Sequence, residues 1–322
     1  MDTPQNLHIF TESEFSAQIG AITQELQACR HEGFFRGMKA CRLHYEYFLA
    51  ENSRASVVIV HGLSEFIPKY YETVRYLLDR QYNVFLYEQR CHGLSDRLTD
   101  RPDLLHVDRF DDYAYDLDVF IRQVVAPVDD RPLLLYAHSM GGAVATLYLA
   151  GYRHNVRKAL LTSPLMDPQV GNVPHWVAHA SVIYNRIRFG PKAKFHRTKD
   201  FDPNYPFNKS SDASYARFAH NLQLRRENPC YQTSPMSIGW VDSSLYMRSR
   251  LPRLGRKISV PILLLSAEHD TVVVNDAQYR FAAKCPSCRL VTVPGSKHGM
   301  LTGAYETIQW VMDTMLAFFG EE

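Results

Sequence analysis

The sequence predicts a doubly wound α/β fold with a mostly parallel sheet and an inserted cap. Short apolar runs of the kind that form buried strands recur along the chain, and segments with the apolar period of a helix separate them. Strands that alternate with helices are typical of a parallel sheet covered by helices on both faces. The alternation stops between residues 165 and 255 and then resumes. We therefore expect one domain over residues 1–322, with a cap at 165–255 inserted into it.

The predicted elements follow in a regular order. A polar amphipathic helix at 12–31 precedes an antiparallel strand pair that runs through 43–49. Six apolar runs predict buried strands at 56–62, 83–89, 132–139, 158–164, 261–270 and 289–295. Helical periodicity predicts helices at 68–80, 109–125, 140–152, 275–284 and 303–319. If the interval 165–255 were a separate domain, the last two strands would be cut off from the first four, so we interpret it as a cap.

Composition excludes several classes of protein. The chain has 322 residues and an apolar fraction of 46%, which is enough for a large core. Its 36 Lys and Arg nearly cancel its 34 Asp and Glu, so there is no overall attraction to nucleic acid, and no nucleic-acid-binding module is recognisable. Neither a metal-ligand cluster nor a dinucleotide fingerprint occurs, so we expect no metal and no cofactor. The oligomeric state stays open.

The sequence also bears on location. No run approaches 18 apolar residues, and the first residues carry acids where a signal peptide would carry a basic and then an apolar segment. The six cysteines are scattered, which is typical of reduced thiols rather than of a disulfide framework. We therefore expect a cytoplasmic protein, with peripheral contact to the inner face of the membrane as an option.

The segment from Leu133 to Ala145 predicts a nucleophilic serine. It reads as a buried strand, a sharp turn of small residues and a helix, with Ser139 at the turn. This is the nucleophile elbow, in which a strained turn lifts the hydroxyl clear of the sheet and Gly141 lets strand and helix pass closely. Ala137 stands where the motif usually begins with glycine, and it is small enough for the turn to form.

A serine of ordinary pKa needs a base, and the base needs a carboxylate that orients it. In this fold the order along the chain is serine, acid, histidine. Asp270 ends a predicted strand and His298 follows the last one, so both lie at the edge of the sheet that carries Ser139. Glu268 is the competing acid one step deeper in the strand, and His269 faces the opposite side.

The oxyanion of an acyl-transfer reaction needs two backbone N–H donors. The residue after the nucleophile, Met140, supplies one. The loop after the first parallel strand supplies the other, and Gly62 lets that loop bend so that the N–H of Leu63 reaches the same oxygen. We interpret His61 as a structural histidine of this loop.

These pieces resemble the α/β hydrolases that include monoacylglycerol lipases and, more closely, bacterial lysophospholipases. The resemblance spans residues 56–320, and the cap matches only loosely. The matching motifs are HGLSE, YEQRCHGLSDR, HVDRFDDYAYDLDVF, AHSMGGAVATLYLA, LLLSAEHDTVVVN and VPGSKHGML. The resemblance implies an α/β-hydrolase fold and a serine hydrolase without a cofactor.

Two regions next to these motifs are interpreted as structural. By resemblance, Glu88 and His92 are not an acid and base pair, and Cys91 stands where the family usually has glycine. The carboxylates of the helix at 109–125 are expected to form a solvated face, with Asp112 as the one that could hold a neighbouring loop; they are Asp111, Asp112, Asp116 and Asp118.

The cap must select the substrate, because a triad specifies only acyl transfer to water. Residues 184–199 carry six Lys or Arg and no acid, and the candidate substrate-binding cations are Arg186, Arg188, Lys192 and Lys194. A second basic group comprises Arg217, Arg225 and Arg226. Such cations could pair with the phosphate of a headgroup, rest on an anionic membrane, or belong to a solvated loop.

We therefore expect a carboxylic-ester hydrolase acting on a small-molecule lipid ester with one chain. Lysophospholipid is the first substrate, and monoacylglycerol or a generic ester is the alternative. Aminopeptidase, thioesterase and non-catalytic binding proteins share the scaffold.

Overall fold

A computed structural model describes residues 7–169, 171 and 173–321, and its centre is one eight-stranded sheet. The strand order is β1-β2-β4-β3-β5-β6-β7-β8; β2 is antiparallel to both of its neighbours and every other neighbouring pair is parallel. The predicted doubly wound, mostly parallel sheet is confirmed. The strands are β1 His31–Arg36, β2 Arg42–Phe48, β3 Ala55–Val60, β4 Tyr82–Tyr87, β5 Leu133–His138, β6 Val156–Thr162, β7 Ile262–Ala267 and β8 Cys288–Val293.

Helices cover both faces of this sheet. Successive residues of β3 point to opposite faces, so Val58 and Val60 enter one apolar core while Val57 and Ile59 enter the other. The first core contains residues of α3 and α4, and the second contains residues of α1, α2 and α10. The helices are α1 Glu12–Cys29, α2 Tyr71–Asp79, α3 Phe110–Phe120, α4 Met140–Gly151, α5 His175–Phe189, α6 Tyr215–Glu227, α7 Ile238–Leu245, α8 Met247–Leu254, α9 Asn275–Ala282 and α10 Tyr305–Gly320.

The ends of several elements differ from the sequence prediction. The helix predicted from residue 68 begins with a 3₁₀ turn at Ile67–Tyr70, and α3 continues through a π-helical turn at Ile121–Val125. The strand predicted over 261–270 ends at Ala267, and a turn at 268–269 follows it. β8 was predicted to be fully buried, which is wrong: it is the edge strand and keeps only Val293 fully buried.

The acidic face of α3 is not solvated, which corrects the sequence interpretation. Asp116 is fully buried, and its two carboxylate oxygens each accept a 2.7 Å hydrogen bond from the guanidinium of Arg90. Its Oδ1 also accepts from the backbone N–H of Met38 at 2.7 Å. The residue that holds a neighbouring loop is therefore Asp116 and not Asp112.

The segment predicted as the cap lies between β6 and β7 and contains α5, α6, α7 and α8. Its helices differ in how firmly they are held. α5 buries only Val182 among its residues, whereas α8 packs into the first core of the sheet, where Leu251 is completely buried. α6 is tied to the body of the protein by Arg217, whose Nε lies 2.8 Å from a carboxylate oxygen of Glu72 on α2.

α1 takes part in the same tie. The guanidinium of Arg217 lies over the ring of Phe15 at 4.7 Å and donates to the backbone oxygen of Phe10 at 2.8 Å. α1 itself begins with a capping box, in which Thr11 and Glu14 exchange hydrogen bonds with each other's backbone N–H groups.

Within the described part of the chain, none of the helices is long and apolar enough to cross a membrane. All six cysteines are free thiols.

Candidate active site

Ser139 lies at the carboxyl end of β5, in the middle of the sheet, and caps the amino end of α4. Its backbone is in the left-handed region, with φ 52° and ψ −116°, which is strained for a residue that carries a side chain. The Ser139 N–H donates to the Thr162 carbonyl at 3.0 Å, and the Ser139 carbonyl accepts from Leu165 at 2.8 Å. These bonds to the chain after β6 hold the strained turn in place.

Two glycines make room for this turn. A Cβ on Gly141 would lie 2.0 Å from the backbone oxygen of Val60, and one on Gly142 would lie 2.5 Å from the Cβ of Pro164. α4 can therefore pass between the loop after β3 and the segment after β6 only because both positions lack a side chain.

The side chains of Ser139, His298 and Asp270 are in contact in that order. His298 Nε2 lies 2.9 Å from Ser139 Oγ, and His298 Nδ1 lies 2.7 Å from Asp270 Oδ2. Since a carboxylate only accepts hydrogen bonds, Nδ1 carries the proton and Nε2 is left to accept the proton of the serine. The side chain of Asp270 is completely buried.

Asp270 is held as an anion by several donors. Its Oδ1 accepts from the backbone N–H groups of Val272 and Val273 at 2.8 and 3.0 Å. Burial by itself would raise the pKa of Asp270. The hydrogen bond and charge of His298, together with these two N–H groups, lower the pKa by more than burial raises it, so the pKa of Asp270 lies below its ordinary value.

The competing acid, Glu268, is directed away from Ser139. Its side chain is 49% exposed, and it accepts from the backbone N–H of Gly295 at 2.7 Å. The predicted alternation of 268–270 does not apply, because the strand has ended and a turn follows it at 268–269. The exposed His269 lies beside Glu268 in this turn, 3.7 Å from its carboxylate.

The predicted oxyanion donors lie on either side of the serine. Met140 is the first residue of α4, and Leu63 lies in the loop after β3, where it lines the same pocket as Ser139. Among the described residues, no hydrogen bond uses the backbone N–H of either residue. His61 is buried and holds this loop: it accepts from the N–H of Gln89 at 2.9 Å.

A charged group that sequence reasoning missed supports the oxyanion loop. Glu65 is buried and accepts hydrogen bonds from the Gly62 N–H at 2.5 Å and from the Tyr70 hydroxyl at 2.6 Å, while Lys69 binds its other oxygen at 2.5 Å. Burial alone would raise the pKa of Glu65, but Lys69 and His138 hold it well below its usual value. The spacing of Glu65 and Lys69, four residues apart, was the signal in the sequence.

The serine opens into a pocket of about 710 Å³ between the sheet and the cap, which we call the catalytic pocket. Ser139 and His298 lie in its wall. Its apolar lining suits an acyl chain and includes Leu63, Phe66, Phe201, Leu222 and Met236.

The four predicted substrate-binding cations do not lie at this pocket, which corrects the sequence expectation. Arg186 is paired with Asp242, and Lys194 donates to Asp200 at 2.8 Å. The pocket is lined by other cations, namely Lys69, Lys199, Lys209 and Arg225. Local charge density therefore did not indicate which side of the cap faces the serine.

One group of side chains in the described part of the chain could hold a metal ion, and it lies on β1 and β2 rather than at the serine. The group is Glu32, His44 and Glu46. Other partners already bind two of its members, because His44 Nδ1 contacts Glu88 at 3.2 Å and Glu46 accepts from the Tyr71 hydroxyl at 2.9 Å. We therefore assign no metal to it.

A strained serine at a strand-to-helix turn, in contact with a histidine and carboxylate pair at the edge of this sheet, is the arrangement of a serine hydrolase of the α/β-hydrolase fold. Residues 51–304 match the model of the family described as serine aminopeptidase, S33. The chain belongs to this family, and the fold and family resemblance predicted from the sequence are confirmed.

Individual relatives are similar over most of the chain. Lysophospholipase L2 of Escherichia coli K12 is 29% identical over 314 residues, which cover 94% of this chain and 89% of the relative. A probable lysophospholipase L2 of Haemophilus influenzae is 28% identical over 83% of this chain and 85% of its own length. A soluble variant of the monoglyceride lipase of Saccharomyces cerevisiae shares the fold, with a TM-score of 0.69, 17% identity and coverage of 89% and 93%.

Proposed function

We propose that the chain is a lysophospholipase, which cleaves the carboxylic ester of a single-chain lipid through an acyl-enzyme. The observation that carries the proposal is the contact of Ser139 Oγ with His298 Nε2 at 2.9 Å in the wall of a large, partly apolar pocket. The two relatives named lysophospholipase L2, which match 94% and 83% of the chain, support the choice of substrate.

In the acylation step Ser139 is the nucleophile. Its oxygen attacks the ester carbonyl while its proton passes to His298 Nε2, and Asp270 stabilises the imidazolium through Nδ1–H. The negative charge on the former carbonyl oxygen is held by the N–H groups of Leu63 and Met140. When this intermediate collapses, the bond to the glycerol oxygen breaks and His298 gives its proton to that oxygen, which leaves as an alcohol.

In the deacylation step water takes the place of the alcohol. His298 removes a proton from the water, whose oxygen attacks the acyl carbon, and the same two N–H groups hold the second oxyanion. The bond to Ser139 then breaks and the serine recovers its proton from His298. The products are a fatty acid and the deacylated headgroup alcohol.

Monoacylglycerol is the second candidate substrate. The apolar lining of the catalytic pocket can hold the acyl chain of either lipid, and the monoglyceride lipase fold is shared. A neutral glycerol headgroup, however, would leave Arg225, a cation of the pocket with no carboxylate partner among the described residues, without an anion to bind.

Hydrolysis of lysophosphatidylcholine, lysophosphatidylethanolamine, monoacylglycerol and p-nitrophenyl esters by the purified protein tests the proposal. Ser139→Ala should lower kcat by about a million-fold and abolish covalent labelling by a fluorophosphonate. Ser163→Ala is the matched control, since Ser163 is also buried with a positive φ, of 42°, but follows β6 rather than β5. If Ser139→Ala keeps its esterase activity, or if lysophospholipids are the poorest esters of the panel, the proposal is wrong.

We further propose that the enzyme is cytoplasmic and meets an anionic lipid surface through the outer face of α5. Large apolar side chains recur on this helix at the spacing of one face, and they are strongly exposed: Trp176 is 74% exposed and Ile187 is 82% exposed. Ile183 and Tyr184 lie between them on the same face. Basic side chains border it, as in helices that lie in a membrane interface.

Only some of those basic side chains are available to lipid. Arg186 and Lys194 have acid partners, whereas Arg188 lies over the ring of Phe189 at 5.2 Å and Lys192 is exposed. Contact with the membrane should therefore depend mainly on the apolar side chains. The available cations should contribute less, and salt should screen their attraction to the lipid.

Sedimentation with phosphatidylglycerol vesicles tests this contact. The double substitution Trp176→Ser and Ile187→Ser should abolish binding, whereas Trp310→Ser on α10, which removes a tryptophan that is 39% exposed, should not. If the double variant binds as the wild type does, the α5 face is not the membrane contact.

A further inference from the structure

Arg225, on α6 of the cap, is an unusual cation of the catalytic pocket. It lines the pocket together with Ser139. Its guanidinium lies over the ring of Phe201 at 4.4 Å, which fixes the plane of the group. Nε donates to the carbonyl of Tyr231 at 3.0 Å and Nη2 donates to the carbonyl of Thr233 at 3.0 Å. Nη1 has no hydrogen-bond partner among the described residues.

Arg225 is partly buried, and the fully buried arginines among the described residues each have a carboxylate partner. Arg90 binds Asp116 with two nitrogens, and Arg217 binds Glu72 with two nitrogens. No carboxylate lies within ion-pair distance of Arg225 in the described part of the chain. Burial, with no acid to oppose it, lowers the pKa of Arg225 to about 10, so the group stays charged at neutral pH.

Arg97 shows what a purely structural arginine looks like in this protein. It also has no carboxylate partner, but all three of its nitrogens donate to backbone carbonyls, those of Pro102, Ser95, Gly93 and Cys230. Arg225 has the same kind of carbonyl support at two nitrogens only. Within the part of the chain that the structure describes, its third nitrogen, Nη1, has no hydrogen-bond partner.

The acids that line the same pocket are already bound. Glu65 is paired with Lys69 and Asp200 with Lys194 and Arg101, while Asp212 accepts from Thr302 and Ser210, and Asp202 accepts from the backbone N–H of Asn204 at 2.8 Å. Two further cations, Lys199 and Lys209, line the pocket on its exposed side. None of these acids pairs with Arg225 in the described part of the chain, so a phosphate that enters the pocket would meet a guanidinium for which no carboxylate competes.

We propose that Arg225 is the phosphate-binding residue of the catalytic pocket and that it takes the phosphodiester of the lipid whose ester Ser139 cleaves. A guanidinium held flat and supported from behind presents its remaining N–H groups to two oxygens of a phosphate without losing further side-chain freedom. The inference rests on the proposed lysophospholipase function and names the residue that distinguishes a lysophospholipid from a monoacylglycerol.

Substrate selectivity is the first test. Lauroyl lysophosphatidylcholine and monolauroylglycerol, both below their critical micelle concentrations, are compared for the wild type, Arg225→Gln, Arg225→Lys and Arg226→Gln. The ratio of kcat/KM for the two lipids should fall by about ten- to a hundred-fold in Arg225→Gln, the effect of losing one charge-assisted hydrogen bond. Arg225→Lys should show an intermediate ratio, because the positive charge remains but the planar guanidinium, which can donate to two phosphate oxygens, is lost. Arg226→Gln is the matched control: Arg226 is exposed, lies on the same helix and binds only a carbonyl of Pro203, so the ratio should not change.

Inhibition is the second test and does not depend on which lipid is cleaved. sn-Glycero-3-phosphocholine should inhibit hydrolysis of p-nitrophenyl butyrate by the wild type competitively, and this inhibition should be lost in Arg225→Gln. Inorganic phosphate, assayed in parallel, separates a site for a headgroup from a site for free phosphate.

Several results would overturn the inference. An equal fall of kcat/KM for both lipids would make Arg225 a support for the loop at 229–233, and an unchanged kcat/KM for both lipids would remove it from the site. Inhibition by inorganic phosphate but not by glycerophosphocholine would refute a headgroup site. If Arg225→Gln does not fold, the wild type alone decides: the absence of inhibition by glycerophosphocholine would refute the phosphate site. A wild type that cleaves neither lipid contradicts the proposed function, while the inhibition test still decides the role of Arg225.

Discussion

Asp270→Asn is the sharpest test of the order of the triad, because the structure determines how the asparagine must sit. Oδ1 of Asp270 accepts from two backbone N–H groups, those of Val272 and Val273. The carbonyl oxygen of an asparagine has to occupy this place, which turns its NH₂ group toward His298 Nδ1. Two donors cannot share one hydrogen bond, so the imidazole must move its proton to Nε2, the nitrogen 2.9 Å from Ser139 Oγ. The histidine then cannot accept the proton of the serine.

The expected effect is large on kcat and small on stability. A wrong tautomer costs up to about 10⁴-fold in kcat, or about 5 kcal/mol of transition-state stabilisation. Both backbone hydrogen bonds are kept, so the melting temperature should change little. Steady-state hydrolysis of p-nitrophenyl butyrate and thermal unfolding measure the two quantities. Glu268→Gln is the matched control, since Glu268 is half exposed and its carboxylate contacts the Gly295 N–H and His269 rather than His298. A loss of less than tenfold in Asp270→Asn, or a greater loss in Glu268→Gln, would refute the assignment of the acid.

Three further predictions concern stability and folding. Gly141→Ala should lower the yield of folded protein and the labelling of Ser139 by a fluorophosphonate, because its Cβ would meet a backbone oxygen of β3 at 2.0 Å, whereas Gly151→Ala at the far end of α4, with open space around it, should be tolerated. Asp116→Ala should lower the free energy of unfolding in urea by about 3–5 kcal/mol, since the buried guanidinium of Arg90 loses both hydrogen bonds to Asp116 and keeps only Asp112, at 3.9 Å, as a carboxylate partner, and a loss below about 1 kcal/mol would contradict the described ion pair. Burial lowers the pKa of His138 from 6.5 to about 4, so between these pH values the unfolded chain binds a proton there that the native protein does not, and stability is lost as the pH falls from 6.5 towards 4. His138→Gln should therefore flatten the dependence of the unfolding free energy on pH in this window. An unchanged slope would contradict the prediction.

The contact of Ser139, His298 and Asp270 could be predicted from the sequence because each residue is tied to a local pattern. Ser139 stands between a buried strand and a helix, and a strained turn with small neighbours is visible in a few letters. Asp270 and His298 follow strands, and the carboxyl ends of parallel strands share one edge of a sheet. The error in the end of β7 did not matter, because a turn and a strand both leave Asp270 at that edge.

The residues of the cap could not be predicted in the same way. Arg186 and Arg225 both lie in basic stretches, but which of them faces the pocket depends on how the cap helices fold over the sheet, and no local period encodes that. The same reason explains the error on α3. Asp112 and Asp116 are four residues apart and share a helix face, so burial of that face was foreseeable only once Arg90, far along the chain, was known to meet it.

Cys91 shows that a departure from the motif of the family does not by itself predict a different backbone. The family usually has glycine at this position, and the chain keeps the backbone conformation that favours glycine, with φ at 64°. The cysteine side chain is completely buried there. The departure in sequence is therefore not a departure in backbone geometry.

The tie between Arg217 on α6 and the helix α1 makes the two sides of the cap mechanically unequal. To swing α6 outward would separate the buried guanidinium from Glu72 and from the ring of Phe15, whereas α5 buries only Val182 and has its ion pair, Arg186 with Asp242, inside the cap. Local opening follows the weaker attachment. The amide hydrogens of α5 should therefore exchange with solvent before those of α6. The cap should open on the side of α5 while α6 stays in place. α1, none of whose residues lines the catalytic pocket, therefore acts on the pocket indirectly, by holding α6 through the contact of Phe15 with Arg217.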